Sequence, residues 1–445
     1  MRVLPTSAKY NFFYFLMVVF GVGDSCQHLG RNITTLLAPV AWLGALLGVF
    51  PYSRRRATID PGESLADSPS SLIQAETDKE ARERAAPTSP HSADPPYHFV
   101  FWSFRSTIVA VWLSLVLLGY FPMMFTMEQE PVTDTEGTGI LHSLSYTSWS
   151  SLLVMYFGWW AVISHRREFE SHLAAMEKYP TAFRDNRSCL VLMLGLIFFL
   201  FNLVLQMDVT RRALPAKDIP TLFFYMGMAA HFSGMENVMI SVLWVLLAHH
   251  THQLHSANAT LSYALQSSDL CCLQTSRKLV MQARGLCNGT EDLMKTGIMP
   301  QLLRTSTYLC YSLAIGYLSL EQPQVAVMWE NTWIRYALVL IAIIQFIFTF
   351  FLGHQCYMAG NATIHLLQGK GEGHDQYSRE VSGIRRDLLT APLVFTVNDF
   401  INLTLPSLWN LLQFLITQVV ILVQFTQYDL DSPLVEATSN TTTTI

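Results

Sequence analysis

The chain has 445 residues, of which 51% are hydrophobic and only 14% charged, with a formal net charge of −5. An ordinary soluble chain carries roughly 25% charged residues, so this composition indicates a membrane protein. With that balance no nucleic-acid partner is expected.

The N-terminal segment, 1–97, precedes the first apolar span. Its run Phe12 to Val22, after Arg2 and Lys9, has the outline of a signal peptide. Region 34–50 is apolar but short and ends in GVFPY, which suits an interfacial or re-entrant segment. Residues 57–97 are rich in Ser, Pro, Ala and charge, and predict a disordered linker. Seven spans are then expected, near 98–122, 142–164, 188–206, 219–248, 298–320, 332–353 and 399–426. They divide the chain into four transmembrane helices (98–248), a cytoplasmic helical platform (249–297), two further helices (298–353), a loop leading into the last helix (354–398), that helix (399–426) and a tail (427–445). The expected fold is an all-α membrane protein of seven transmembrane helices.

Loop charge sets the orientation. Arg54, Arg55, Arg56, Arg166, Arg167, Lys178, Arg277, Lys278, Lys370 and Arg385 fall in segments on one side. The first loop (Glu128, Glu130, Asp134, Glu136) and the tail after Phe425 carry no Lys or Arg, and only Arg211, Arg212 and Lys217 break the pattern. Basic residues stay inside, so the N-terminus is placed in the cytoplasm and the C-terminus outside, in a plasma-membrane protein whose solvent is the lipid bilayer. Signal cleavage is disfavoured by that orientation. The sequon Asn440-Thr441-Thr442 is then accessible.

The cysteines are Cys26, Cys189, Cys271, Cys272, Cys287, Cys310 and Cys356, with no CxxC spacing and none in an outer loop. They predict reduced thiols, with Cys271 and Cys272 open to acylation, and no disulfide framework or metal site. His249, His250, His252 and His255 lack carboxylate or cysteine partners and read as a solvated helix end. Glu236 and His231 lie in the fourth span. A carboxylate at that depth needs a partner, and a tie to another helix is favoured over a ligand contact.

The last span carries one polar stripe. Asn410, Gln413, Thr417 and Gln424 fall within about 60° on a helical wheel, and most of the remaining surface is Leu, Val, Ile and Phe. Amides facing lipid are unfavourable, so the stripe faces protein or water. By itself it suits either helix–helix hydrogen bonding or the lining of a conduit.

The run Thr417-Gln418-Val419-Val420-Ile421-Leu422-Val423-Gln424-Phe425 resembles the TYhhhhhQF signature that closes the insect gustatory receptor family. Phe395-Thr396-Val397-Asn398 is similar to the segment preceding that signature, GVFPY to the N-terminal LGLFPY-type motif, and Phe101-Trp102-Ser103-Phe104-Arg105 to the start of the first span. Gln418 stands where the family has Tyr. The resemblance implies an inverted seven-helix, ligand-gated, non-selective cation channel opened by a small extracellular tastant. It implies a homotetramer, or a heterotetramer with related subunits, whose seventh helices line a pore for permeant cations. Carried onto this chain, Gln424 and Phe425 stand at the extracellular constriction, with Val420, Ile421, Thr417 and Gln413 lining the path below.

Trp149, Tyr156, Phe224, Tyr225, Tyr308, Tyr311, Tyr317, Trp333 and Tyr336 lie in the outer halves of the helices and could stack on a ligand or simply pack the bundle. Phe232 to Ser241 resembles the acidic-centred fourth span of the sugar-sensing branch, which makes sugar the first ligand class considered. Gln418 and Val419 depart from that branch's TYE.

Other classes fit less well. The sequence holds no P-loop, HExxH, GxSxG or GxGxxG, and neither an enzyme nor a cofactor is expected. A G-protein-coupled receptor has the opposite orientation and an NPxxY-type motif. A secondary transporter would show internal repeats and Gly- or Pro-broken midplane helices.

Overall fold

The computed structural model describes residues 33, 37–40, 52–54, 97–99, 165–179, 186–213, 219–321, 332–368 and 375–430. In chain order these hold β1 (Tyr52–Arg54), β2 (Tyr97–Phe99), α1 (Arg166–Lys178), α2 (Asn186–Ala213), α3 (Ile219–Ser267) and α4 (Leu270–Glu321). Then come α5 (Thr332–Leu366), α6 (Gln376–Thr390), β3 (Thr396–Val397), β4 (Ile401–Asn402) and α7 (Leu405–Leu430). The described chain is helical apart from two short antiparallel ribbons, β1–β2 and β3–β4. The expected spans 98–122 and 142–164, the linker 57–97 and the segment 1–22 lie outside the described residues. Region 34–50 is described only at 37–40, and the tail only to 430.

Helix length organises the molecule. α3 has 49 residues and α4 has 52. At 1.5 Å per residue they run about 74 and 78 Å, more than twice the ~30 Å of a hydrocarbon core. The apolar half comes first in α3 and last in α4. An antiparallel hairpin therefore lays the apolar halves side by side and leaves 249–297 as a paired helical rod beyond them. The turn is short because Ser268 takes a left-handed φ of 55°. Asp269 then caps α4 by accepting from the Cys271 N–H at 2.9 Å. The Cys272 side chain and the Cys271 N–H hold this carboxyl below its ordinary range. Pro300 lies within α4 where the rod gives way to the apolar half, and removes one backbone donor there.

The largest side chain in the core is Trp244 of α3, fully buried. It meets Phe198 of α2 and Phe348 of α5 edge-on, at centroid distances of 6.2 and 4.7 Å, and donates Nε1–H to Thr349 Oγ1 at 2.9 Å. That one residue joins three helices while its polar atom stays satisfied. α6 buries Ser378, Val381, Ile384 and Leu388, a single face at helical spacing, and Asp375 caps its start by accepting from the Ser378 N–H. Arg277 of α4 reaches Glu380 and Asp387 of α6, both at 2.6 Å.

Among the described residues, two helical segments are long and apolar enough to cross a membrane by length and composition, Tyr336–Leu366 and Leu405–Phe425. Leu190–Leu205 of α2 is a shorter apolar segment. Three expectations change. His249 and His250 are buried, not solvated, because α3 continues past them and packs against α4 and α1. Residues 354–398 are not a plain loop, since α5 runs on to Leu366 and α6 and β3 follow. The last helix begins at Leu405 and not at 399, because Asn398 and Asp399 both take φ near 56° and turn the chain into a hairpin.

Candidate functional site

The burial pattern of α7 has two opposed faces. Leu408, Leu415 and Val423 are buried, and Leu411, Leu412, Gln418, Val419 and Leu422 are half-buried. Val423 packs with Ala314, Ile315 and Tyr311 of α4. On the other side Asn410, Gln413, Thr417, Val420, Ile421, Gln424 and Phe425 are all exposed. The polar stripe sits about 180° from the centre of the packed face. It points directly away from the other described helices, and only 11% of the span's most apolar window is buried. Gln418, where the family signature has Tyr, borders the packed face.

The start of α7 is held by the ribbon before it. Asn398, Asp399 and Phe400 form a three-residue hairpin loop, closed by Phe400 N–H donating to Val397 O at 3.1 Å. Leu403 N–H donates to Phe395 O at 2.9 Å and continues the ladder. Leu403 is fully buried against α5, where Gly353 has no side chain to keep it out. Glu291 of α4 accepts from the Thr396 N–H at 2.9 Å and from the Thr396 hydroxyl.

The aromatic candidates do not converge on one described cavity. Tyr308 and Tyr311 are half-buried on α4, and Tyr311 faces α7. Tyr317 and Tyr336 are exposed. Phe224, Tyr225 and Trp333 lie in α3 and α5, but their side chains, like that of His231, are outside the described residues, as are Trp149 and Tyr156 altogether. A cavity of about 20 Å³ lies between α3, α4 and α5, lined partly by Gln301, Thr305, Gln345 and Thr349. That volume holds about one water and no organic ligand.

Glu236 is paired. Arg304 Nη1 of α4 lies 2.8 Å from its Oε2, and both side chains are under one-fifth exposed. Gln301 donates to the Glu236 carbonyl at 2.7 Å, and Gln345 donates to Asn237 Oδ1 at 2.7 Å. A polar belt thus joins α3, α4 and α5. Arg304 was missed in the sequence, although an arginine inside an apolar span was a sufficient signal to look for its carboxylate.

A second buried network lies in the rod. Thr290 Oγ1 stands 2.7 Å from His172 Nε2 and 2.6 Å from His250 Nε2, while His250 Nδ1 meets Gln253 Oε1 at 3.1 Å. Because the Gln253 oxygen only accepts, His250 carries its proton on Nδ1. Thr290 then donates to His250 and accepts from His172. Burial pushes His172 down to about 4, and pushes His250 well below its ordinary value, with the charges of His249 and His172 adding to the effect. Both are therefore neutral in the folded chain at neutral pH and take protons more readily once it unfolds. Stability is full above pH ~6.5 and is lost as pH falls toward 4, on the order of 3 kcal/mol for His172 alone. Melting of the purified protein is expected to drop between pH 6.5 and 5, with a flatter dependence in His172→Gln. An identical pH slope in that variant would remove His172 from the account.

The arrangement of helices has a match among solved structures. The insect olfactory receptor OR5 from Machilis hrabei, in complex with eugenol, aligns over 88% of this chain and 98% of its own, with a TM-score of 0.63 at 10% identity. Another structure of OR5 aligns over 73% of this chain and 90% of its own, with a TM-score of 0.58 at 11% identity. The chain has the fold of an insect olfactory receptor. At such identity the architecture is what is shared. These neighbours are receptors, not enzymes. Comparison of the sequence with protein-family models and with curated proteins finds no match.

Proposed function

We propose that the protein is a chemosensory, ligand-gated cation channel of the plasma membrane, built from several copies with α7 lining the pore. The observation that carries this reading is the outward polar stripe of α7. A helix long and apolar enough to span a bilayer, presenting Asn410, Gln413, Thr417 and Gln424 away from the other described helices, is stable in lipid only if protein or water covers that face. Copies arranged around an axis satisfy both needs: protein beside the stripe and water along it. Amides can replace part of an ion's hydration shell, while rings of Val420, Ile421 and Phe425 can dewet and close the path.

The OR5 fold and the TQVVILVQF resemblance support the same reading from independent directions. The gustatory branch, the inverted orientation, the tetramer and the tastant are the finer part of the proposal. OR5 was solved with eugenol. For this chain a small extracellular organic molecule is proposed, with sugars the first class to screen. Tyr308, Tyr336 and the outer aromatics of α3 and α5 are candidate contacts. Glu236, engaged by Arg304, is assigned to the tie between helices and not to the ligand.

Cells expressing the chain alone are expected to show a ligand-evoked cation current that persists when G proteins are blocked. Current that vanishes under the block, or uptake without current, would replace the channel with a receptor or a transporter. Within the channel, Gln424→Ala is expected to change permeation, block or gating several-fold at normal surface expression. Unchanged values for all of these remove Gln424 from the constriction.

A further inference from the structure

The rod and the start of α7 are joined through one carboxylate. Glu291 stands on α4 beyond its apolar half, half-buried, and accepts two hydrogen bonds from Thr396, one from the backbone and one from the hydroxyl. Two donors on one anionic acceptor make a clasp stronger than either neutral bond alone. From Thr396 to Leu405 the chain has no slack. The turn at Asn398 and Asp399 is tight, Leu403 is bonded to Phe395, and Thr404 N–H donates to Asn402 O at 2.8 Å. Thr404 O then accepts the Leu408 N–H at 3.0 Å, and the Thr404 hydroxyl meets Ser407 Oγ at 3.0 Å, so the ribbon runs directly into the first turn of α7. Leu403 is buried against Gly353, which fixes the ribbon sideways on α5.

We propose that Glu291 is a positioning residue that couples the helical rod to the pore helix, so that displacement of the rod moves the start of α7. The coupling rests on reading α7 as the pore helix. It assigns a role to the rod: α4 carries movement to α7 through Glu291 and the ribbon. The apolar packing of α4 on α7 near Ala314 and Val423 acts at the other end of the same helix pair.

The test uses the full chain in lipid nanodiscs, with hydrogen exchange as a readout that needs no ligand. In Glu291→Gln, which keeps size but removes the charge, the amides of Thr396, Leu403, Thr404 and Leu408 are expected to exchange about tenfold faster, while the buried part of α3 does not change. Thr396→Val removes only the hydroxyl bond and should give a smaller increase, and Thr396→Ser should restore the wild-type rate. The same variants, with sodium as the permeant probe, are expected to shift the resting conductance several-fold at equal surface expression. Unchanged exchange at the ribbon, or an equal rise throughout α3, overturns the clasp. Faster ribbon exchange with wild-type resting conductance overturns the coupling. A wild-type chain that conducts no cations under any condition overturns the pore reading itself, while exchange still decides whether Glu291 holds α7.

Discussion

Replacing Arg304 by Met is expected to destabilise the protein by about 3–5 kcal/mol, because it strands a carboxylate and not because it removes an attraction. Glu236 is 16% exposed at the side chain and Arg304 17%, so neither is well solvated when the other is lost. In the proposed membrane setting the penalty is an unpaired charge in a medium that cannot hydrate it. The double variant Glu236→Gln with Arg304→Met leaves no stranded charge and should recover most of the loss. Thermal melting of the detergent-solubilised protein measures both. Equal destabilisation by the single and double variants would show that Arg304 acts through packing alone. Glu236→Gln also separates tie from ligand contact: a shifted ligand response with unchanged melting would return Glu236 to the binding site.

The second large effect is expected at Gly353. An added Cβ there would lie 2.4 Å from Leu403 Cβ and 2.6 Å from Leu403 O. A carbonyl oxygen held in a ribbon cannot move aside as a flexible side-chain end could. Gly353→Ala should therefore cost about 1–3 kcal/mol or more and displace the start of α7. Gly360, whose added Cβ would meet Leu393 at 2.3 Å, has the flexible end of a leucine before it and should be affected less. Gly285 and Gly383 have nothing within 4 Å, so alanine there removes a helix-weakening residue and should stabilise by up to about 1 kcal/mol. Melting temperatures of the four variants test the ranking. If Gly353→Ala melts with Gly285→Ala, the close approach of α5 and the ribbon is not as described.

These effects depend on contacts that have no local signature. Glu236 and Arg304 are far apart in sequence, and nothing near either residue names the other. Glu291 and Thr396 are similar: a glutamate in a polar helical stretch looks like solvated surface until β3 is laid beside it. The histidines show the converse. A polar run reads as exposed, yet the continuation of α3 buries His249 and His250 and assigns their protons through Gln253 and Thr290. Gln418 was legible, since its angle on the helix places it away from the stripe, and it borders the packed face.

Composition and periodicity by themselves determined that the chain is built of apolar helices and that one face of its last helix cannot meet lipid. Both follow from local facts, hydrophobic runs and a 3.6-residue repeat, which need no knowledge of neighbours. Only the tertiary structure decided which way that face points. The packing of Val419, Leu422 and Val423 against α4 turns the amides outward, away from the other described helices. It also decided where the last helix begins, because the left-handed pair Asn398 and Asp399 folds the chain back into a ribbon that Glu291 holds and Gly353 leaves room for.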